Sequence, residues 1–297
     1  MKALRFMLLS AVLAMPALPL GAQAAGGYTN EQCSSCAEWN APRRPLRIYG
    51  NTYYVGTQGL SAILVTSRQG HVLIDGALPE SAPHILANIR ALGFRVQDIK
   101  LILNSHPHFD HSGGIAALQR ASSAVVAASP ASAPVLERGA SGPDDPQYGP
   151  GLLAFPAVSR VRVIADGDTV RVGPLALTAH FTPGHTPGGT SWSWRSCERG
   201  RCLEMVYADS QSPISAEGFR FTSSQTYPSV LADFERGFAV LERLRCDVLL
   251  TPHPEGSRLW ERIAERDLVD GEACRRYAAT ARERLARRVA SEREAQR

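Results

Sequence analysis

Short apolar runs separated by Gly, Pro and charged residues dominate most of the chain, and the spacing inside each run indicates the element it forms. "IYGNTYYVG" and "SAILVTSRQGHVLIDGA", between Ile48 and Ala77, alternate as strands, the second being two strands joined by a turn at Ser67 to Gly70. In "PESAPHILANIRALGF", Ile85, Leu86, Ile89 and Leu92 recur at helical spacing and Gly93 ends the run. "IKLILNSH" is an apolar strand, "GGIAALQRA" a helix and "SAVVAAS" another strand. Strand, loop, helix and strand in alternation predict an α/β architecture.

Residues 139–158 carry Gly and Pro with little periodicity and read as one long loop, a length that inside a compact domain is often functional. Strands are expected again at Val161 to Ile164, Leu175 to Phe181, Ser191 to Trp194 and Met205 to Ala208. "VLADFERGFAVLERL" is an amphipathic helix, and "CDVLLTPH" is a strand ending in a histidine. The tail from Ala273 is helical and rich in both Arg and Glu, which makes a solvated face. No break marks a second domain, so residues 25–297 are expected to form one.

Composition changes this picture only at the N-terminus. Met1 to Ala24 has Lys2 and Arg5, then the apolar run "FMLLSAVLAMPALPL" and a small-residue "AQA", the pattern of a cleaved signal peptide. Pro16, Pro19 and the shortness of the run argue against a membrane anchor. Removing residues 1–24 takes the formal charge from +4 to +2, which gives no electrostatic case for nucleic acid or a membrane surface. An exported, periplasmic and monomeric protein is expected.

Export makes the six cysteines disulfide candidates before metal ligands. Cys197 and Cys202 flank the turn-like "ERGR" and suit a bridge across a hairpin end. Cys246 and Cys274 would tie the C-terminal helix to the body. Cys33 and Cys36 form a C-x-x-C in a Ser-rich segment, either a local disulfide or two thiols with other partners.

The chemistry concentrates in "NSHPHFDH". His106, His108, Asp110 and His111 offer the nitrogen and oxygen donors that zinc takes at about 2.0–2.2 Å. Pro107 argues against a continuous helix there, so the side chains converge from a strand-to-helix loop. His185 in "TPGHTPGG" and His253 in "TPHPEG" follow other strands in the same kind of Pro/Gly setting. Six candidates suffice for two metal ions. His71, His84 and His180 lack that context and are read as structural.

H-x-H-x-D-H, "PGHTPGG" and a late histidine after a strand resemble the metallo-β-lactamase superfamily. "YGNTYYVGTQGLSAILVTSRQGHVLIDGA", "ANIRALGF", "YADSQS" and "CDVLLTPHPEG" extend the resemblance, to subclass B3, over nearly all of the chain from Ile48 onward. It implies an αββα sandwich, two mixed sheets flanked by helices, with the metal site at the sheet edge. It places one zinc on His106, His108 and His185 and a second on Asp110, His111 and His253. Subclass B1 enzymes give the second metal a cysteine; the matching segment here has Ser210 and none. The implied reaction is zinc-dependent hydrolysis of the lactam amide of penicillins, cephalosporins and carbapenems, giving resistance. Asp110 orients the nucleophile, and Ser210 and Ser212 lie where hydroxyls bind the substrate carboxylate. Gln147 is a weaker candidate for substrate contact, and Trp39 and Phe155 are candidate apolar walls. The Cys246–Cys274 and Cys197–Cys202 bridges are implied too. Some relatives pair an N-terminal cysteine with one in "YVGT", where this chain has Gln58.

The alternative is another exported dinuclear-zinc hydrolase of this fold, acting on a thioester, lactone or phosphoester, in which an aspartate near Asp209 bridges the metals. A non-catalytic zinc protein would need only one closed set of four ligands. No G-x-S-x-G or S-x-x-K supports a serine mechanism.

Overall fold

Strands whose two faces are both covered carry near-continuous apolar sequence, and the central strands of the first sheet are of this kind. The structure is a computed structural model that describes Tyr28 and residues 32–297; the expected signal segment lies outside the described residues. β1 (Leu46–Tyr49), β2 (Thr52–Tyr54), β3 (Ile63–Ser67), β4 (Gly70–Ile74), β5 (Ile99–Leu103), β6 (Val125–Ala128) and β7 (Val161–Val163) form a seven-stranded sheet in that order. It is antiparallel from β1 to β4 and parallel from β4 to β7. β8 (Thr169–Val172), β9 (Leu175–Phe181), β10 (Thr190–Glu198), β11 (Arg201–Tyr207) and β12 (Val248–Leu250) form the second sheet, antiparallel except for the β11–β12 pair.

The alternation along each strand sorts residues into layers. Ile63, Val65, Val72, Ile74, Leu101 and Leu103 face the second sheet and pack with Leu177, Ala179, Trp192, Met205 and Leu250. Their neighbours Leu64, Leu73 and Ile102 face outward, where Ile85, Ile89 and Leu118 of α2 (Ala82–Ala91) and α4 (Ile115–Ser122) cover them. On the far side, Val206 and Leu249 pack beneath α6 (Val230–Arg243) and α8 (Ala273–Glu294) through Phe234, Phe238, Ala278, Ala281 and Leu285. The result is an αββα sandwich with three apolar layers.

The remaining helices are short: α1 (Cys36–Trp39), α3 (Phe109–Ser112), α5 (Ser132–Arg138) and α7 (Leu259–Glu265). The run 139–158 carries no helix or strand, in line with the sequence pattern. β8 went unpredicted because it is a four-residue edge strand whose alternation involves only two buried valines. No helix among the described residues is long and apolar enough to cross a membrane. Disulfide geometry joins Cys33 to Cys36, Cys197 to Cys202 across the β10–β11 hairpin, and Cys246 to Cys274 at the start of α8.

Candidate metal centre

Each residue that "NSHPHFDH" contributes is placed by the loop leaving β5, and that loop is held from behind by a buried carboxylate. Asp75, at the end of β4, adopts a positive φ of 61° and is fully buried. Its Oδ1 accepts from Ser105 N at 2.8 Å, and its Oδ2 accepts from Ser105 Oγ at 2.6 Å and Tyr207 Oη at 2.8 Å. Burial pushes this carboxyl up to about 6, against the pull of His111 and of these donors. Asn104 Nδ2 and Ser112 Oγ both donate to the His106 carbonyl, at 2.8 and 3.1 Å, so the backbone of the motif is braced at both ends. After Pro107 the chain turns at His108, the N-cap of α3, and Asp110 and His111 ride on that single turn.

His185 sits between β9 and β10, where glycines explain the rest of its motif. Gly184 takes φ 137°, and a Cβ there would lie 2.6 Å from the Phe234 ring. A Cβ on Gly189 would lie 2.5 Å from Asp209 Oδ2 and 2.6 Å from Thr182 O. Gly189→Ala is therefore expected to displace one of them and cost about 1–3 kcal/mol, seen as a lower urea midpoint at unchanged slope. Wild-type stability in that variant would contradict the close packing of Asp209. His253 follows β12, its carbonyl taking the Thr251 hydroxyl at 2.6 Å and its ring 5.0 Å from that of Trp39.

Two trios result. His106, His108 and His185 form one and Asp110, His111 and His253 the other, with the ligand-type atoms in each within 4.8 Å of one another. The His106 and His111 rings lie 4.4 Å apart, so the trios are side by side. Within the second, Asp110 Oδ2 is 3.2 Å from both His111 Nε2 and His253 Nε2. Burial opposes ionisation of Asp110, but His111 and His253 hold its carboxyl well below the usual range.

The other ring nitrogens are engaged, which leaves one lone pair on each histidine of the first trio to face its neighbours. His106 Nδ1 meets Asp209 Oδ1 at 2.7 Å, His108 Nε2 meets Asp145 Oδ2 at 2.8 Å, and His185 Nδ1 donates to the Ser212 carbonyl at 2.8 Å. Burial drives the His106 and His185 imidazoles well below their ordinary value. His108 is lowered by burial too, but Asp145, with Asp110 and Asp209, outweighs that and raises it. Burial lifts Asp209 to about 8.

His106 Nε2 is buried with no hydrogen-bond partner, an arrangement that costs about 1–3 kcal/mol unless something fills it. Three imidazoles, and two more with a carboxylate, form the donor set of a borderline cation such as zinc, so these residues fit the metal that the fold implies.

The other candidates fall around this centre. Ser210 is half-buried beside Asp209, whereas the Ser212 hydroxyl lies 3.2 Å from His185 Nδ1. Gln147 Nε2 approaches His185 Nε2 at 3.3 Å. Phe155, expected on the cleft wall, is buried in the helix-side core because its backbone N–H bonds Gly139 and folds the loop back onto α5. His71 and His180 bond Ser67 and Ser193 away from the site. Asp145 and the seat of Asp209 behind His106 escaped the sequence reading; two adjacent acids in an aperiodic loop were the only signal.

The profile of the metallo-β-lactamase superfamily matches residues 55–198. The Rm3 metallo-β-lactamase superposes with a TM-score of 0.86 at 57% identity, covering 88% of this chain and 99% of that one. The chain belongs to the metallo-β-lactamase superfamily, subclass B3. MEM-A1, a subclass B3 metallo-β-lactamase isolated from a soil metagenome library, gives 0.85 at 49% identity, covering 87% of this chain and 100% of that one. A hydroxyacylglutathione hydrolase of Anaeromyxobacter dehalogenans (strain 2CP-C) is 34% identical over 122 residues, which is 41% of this chain and 37% of that protein. This chain thus spans little more than a third of that curated relative's length. The B3 protein is an enzyme of the hydrolase class, with histidine-rich groups that bind metal.

Proposed function

We propose that this enzyme hydrolyses the amide bond of β-lactam antibiotics with two zinc ions, acts on penicillins, cephalosporins and carbapenems, and confers resistance. It works as a monomer in the periplasm after residues 1–24 are removed. The observation that carries this reading is the pair of buried trios side by side at one sheet edge, in a chain aligned almost end to end with B3 enzymes.

His106, His108 and His185 would hold one ion, and Asp110, His111 and His253 the other. When bound, such a pair supplies an activated water at neutral pH and a Lewis acid for the carbonyl oxygen. Asp209, Asp145 and the Ser212 carbonyl each occupy the far ring nitrogen of one histidine, so the first trio presents lone pairs without reorganising. Asp110, whose carboxylate form His111 and His253 favour, would orient the attacking water by accepting its hydrogen bond. The lactam nitrogen would take its proton from solvent water as the ring opens. The Ser210 hydroxyl and Gln147 amide anchor the substrate carboxylate, Ser212 steadies His185 as well as the substrate, and Trp39 closes the side of His253.

The partial match to a hydroxyacylglutathione hydrolase supports a thioester reading, in which Asp209 would join the ligand set. Asp209 bonds the far side of His106, which favours the lactam. The test is kcat/KM on a penicillin, a cephalosporin, a carbapenem, a hydroxyacylglutathione thioester and a lactone side by side. A lactam is expected to lead by at least about a hundredfold; a leading thioester or lactone would replace this reading.

A further inference from the structure

Fifteen of the twenty residues of the loop 139–158 are exposed or half-buried, and its one buried charged side chain points at the metal centre. Asp145 is 4% exposed, and its two carboxylate oxygens are divided between the loop and the site. Oδ1 accepts the backbone N–H of Gln147 at 2.9 Å, while Oδ2 lies 2.8 Å from His108 Nε2. Two backbone bonds wrap the turn around the same residue, Asp145 N to Gly142 O and Tyr148 N to Asp145 O, both 3.0 Å. That turn is also what brings the Gln147 amide to His185. Elsewhere the loop is held by its ends on α5, by Ala216 N on Pro146 O and by Tyr28 Oη on Ala154 O, none of which touches a histidine of the site.

We infer that Asp145 is a positioning residue that couples the order of loop 139–158 to metal loading at His106, His108 and His185. The inference rests on the reading of His108 as a metal ligand. A carboxylate on the far nitrogen of a ligating histidine fixes its ring and strengthens it as a donor, and losing such a partner typically costs ten- to a hundredfold in metal affinity. Because the same carboxylate caps the loop's turn, the linkage is reciprocal: what metal gains from an ordered loop, the loop gains from bound metal. Loading would thus set the loop that carries Gln147 over the site.

Asp145→Asn separates the two roles, since an amide oxygen still caps the turn while the negative charge facing His108 is gone. Zinc affinity is read by competition with a chromogenic chelator, and loop order by hydrogen exchange of peptides within 139–158, with and without zinc. The wild-type loop is expected to exchange faster once zinc is stripped. Asp145→Asn is expected to bind one zinc about ten- to a hundredfold more weakly, with loop exchange near that of metal-free wild type and β4–β5 peptides unchanged. Asp145→Glu, which retains the charge, is expected to recover part of the affinity. If Asp145→Asn does not fold, the zinc dependence of the wild-type loop reads the coupling alone. Wild-type affinity in Asp145→Asn, or a loop indifferent to zinc, overturns the inference. His185→Ala separates this from failure of the underlying reading: unchanged zinc content there sinks the ligand assignment, whereas loss of a zinc there with normal affinity in Asp145→Asn sinks the coupling alone.

Discussion

Replacing His185 by alanine is expected to remove at least about a thousandfold from kcat/KM and one zinc from the loaded protein, while the metal-free fold stays intact. Lewis-acid and water activation at such sites supply several kcal/mol, and each 1.36 kcal/mol is a factor of ten. The fold should survive because His185 packs against the site rather than the apolar layers. Its bonds are to the carbonyl and the hydroxyl of Ser212 and, at longer range, to Gln147. Losing them should cost metal-free protein about 1 kcal/mol. Kinetics, metal analysis and a melting curve on one preparation check all three parts; full activity at unchanged zinc content would remove His185 from the ligand set.

The second large effect is on stability. Cys246 precedes β12, the strand that delivers His253, and Cys274 lies at the start of α8, within the apolar layer beneath α6. The link closes a loop of 28 positions, and constraint of the unfolded chain by such a loop is worth about 3.5 kcal/mol. Cys246→Ser with Cys274→Ser should therefore lower the melting temperature by roughly 6 °C. Cys33→Ser with Cys36→Ser, opening a separation of 3, should cost about half as much in free energy. Equal effects from the two pairs would show that loop length does not govern the stabilisation.

The strands were legible because both sheets bury most of their residues, so β3, β4, β5 and β12 appear as apolar runs whichever face is considered. The six residues of the trios were legible for a related reason. Each lies in a short motif that follows a strand and contains Pro or Gly, so the fold gathers them at one edge without any further signal along the chain. What stayed hidden depends on contacts across the fold. Asp145 meets His108 across 37 positions, and Asp209 meets His106 across 103. Asp75 supports Ser105 only because β4 and β5 are neighbours in the sheet. Phe155 was misplaced because an aperiodic loop gives no sign of which aromatic turns inward. α3 was hidden by Pro107, which ends one element just ahead of a helix only four residues long.

The central claim is that the paired trios hold zinc and open a lactam ring, and a zinc titration of chelator-stripped protein tests it most directly. Carbapenem ring opening is followed by its ultraviolet absorbance while bound metal is counted. The expected result is no turnover in stripped protein, then activity that rises with zinc and saturates near two ions per chain. Saturated kcat/KM should be at least about 10⁴ M⁻¹s⁻¹. Turnover that survives complete stripping, or a fully loaded protein that leaves every β-lactam intact, would contradict it.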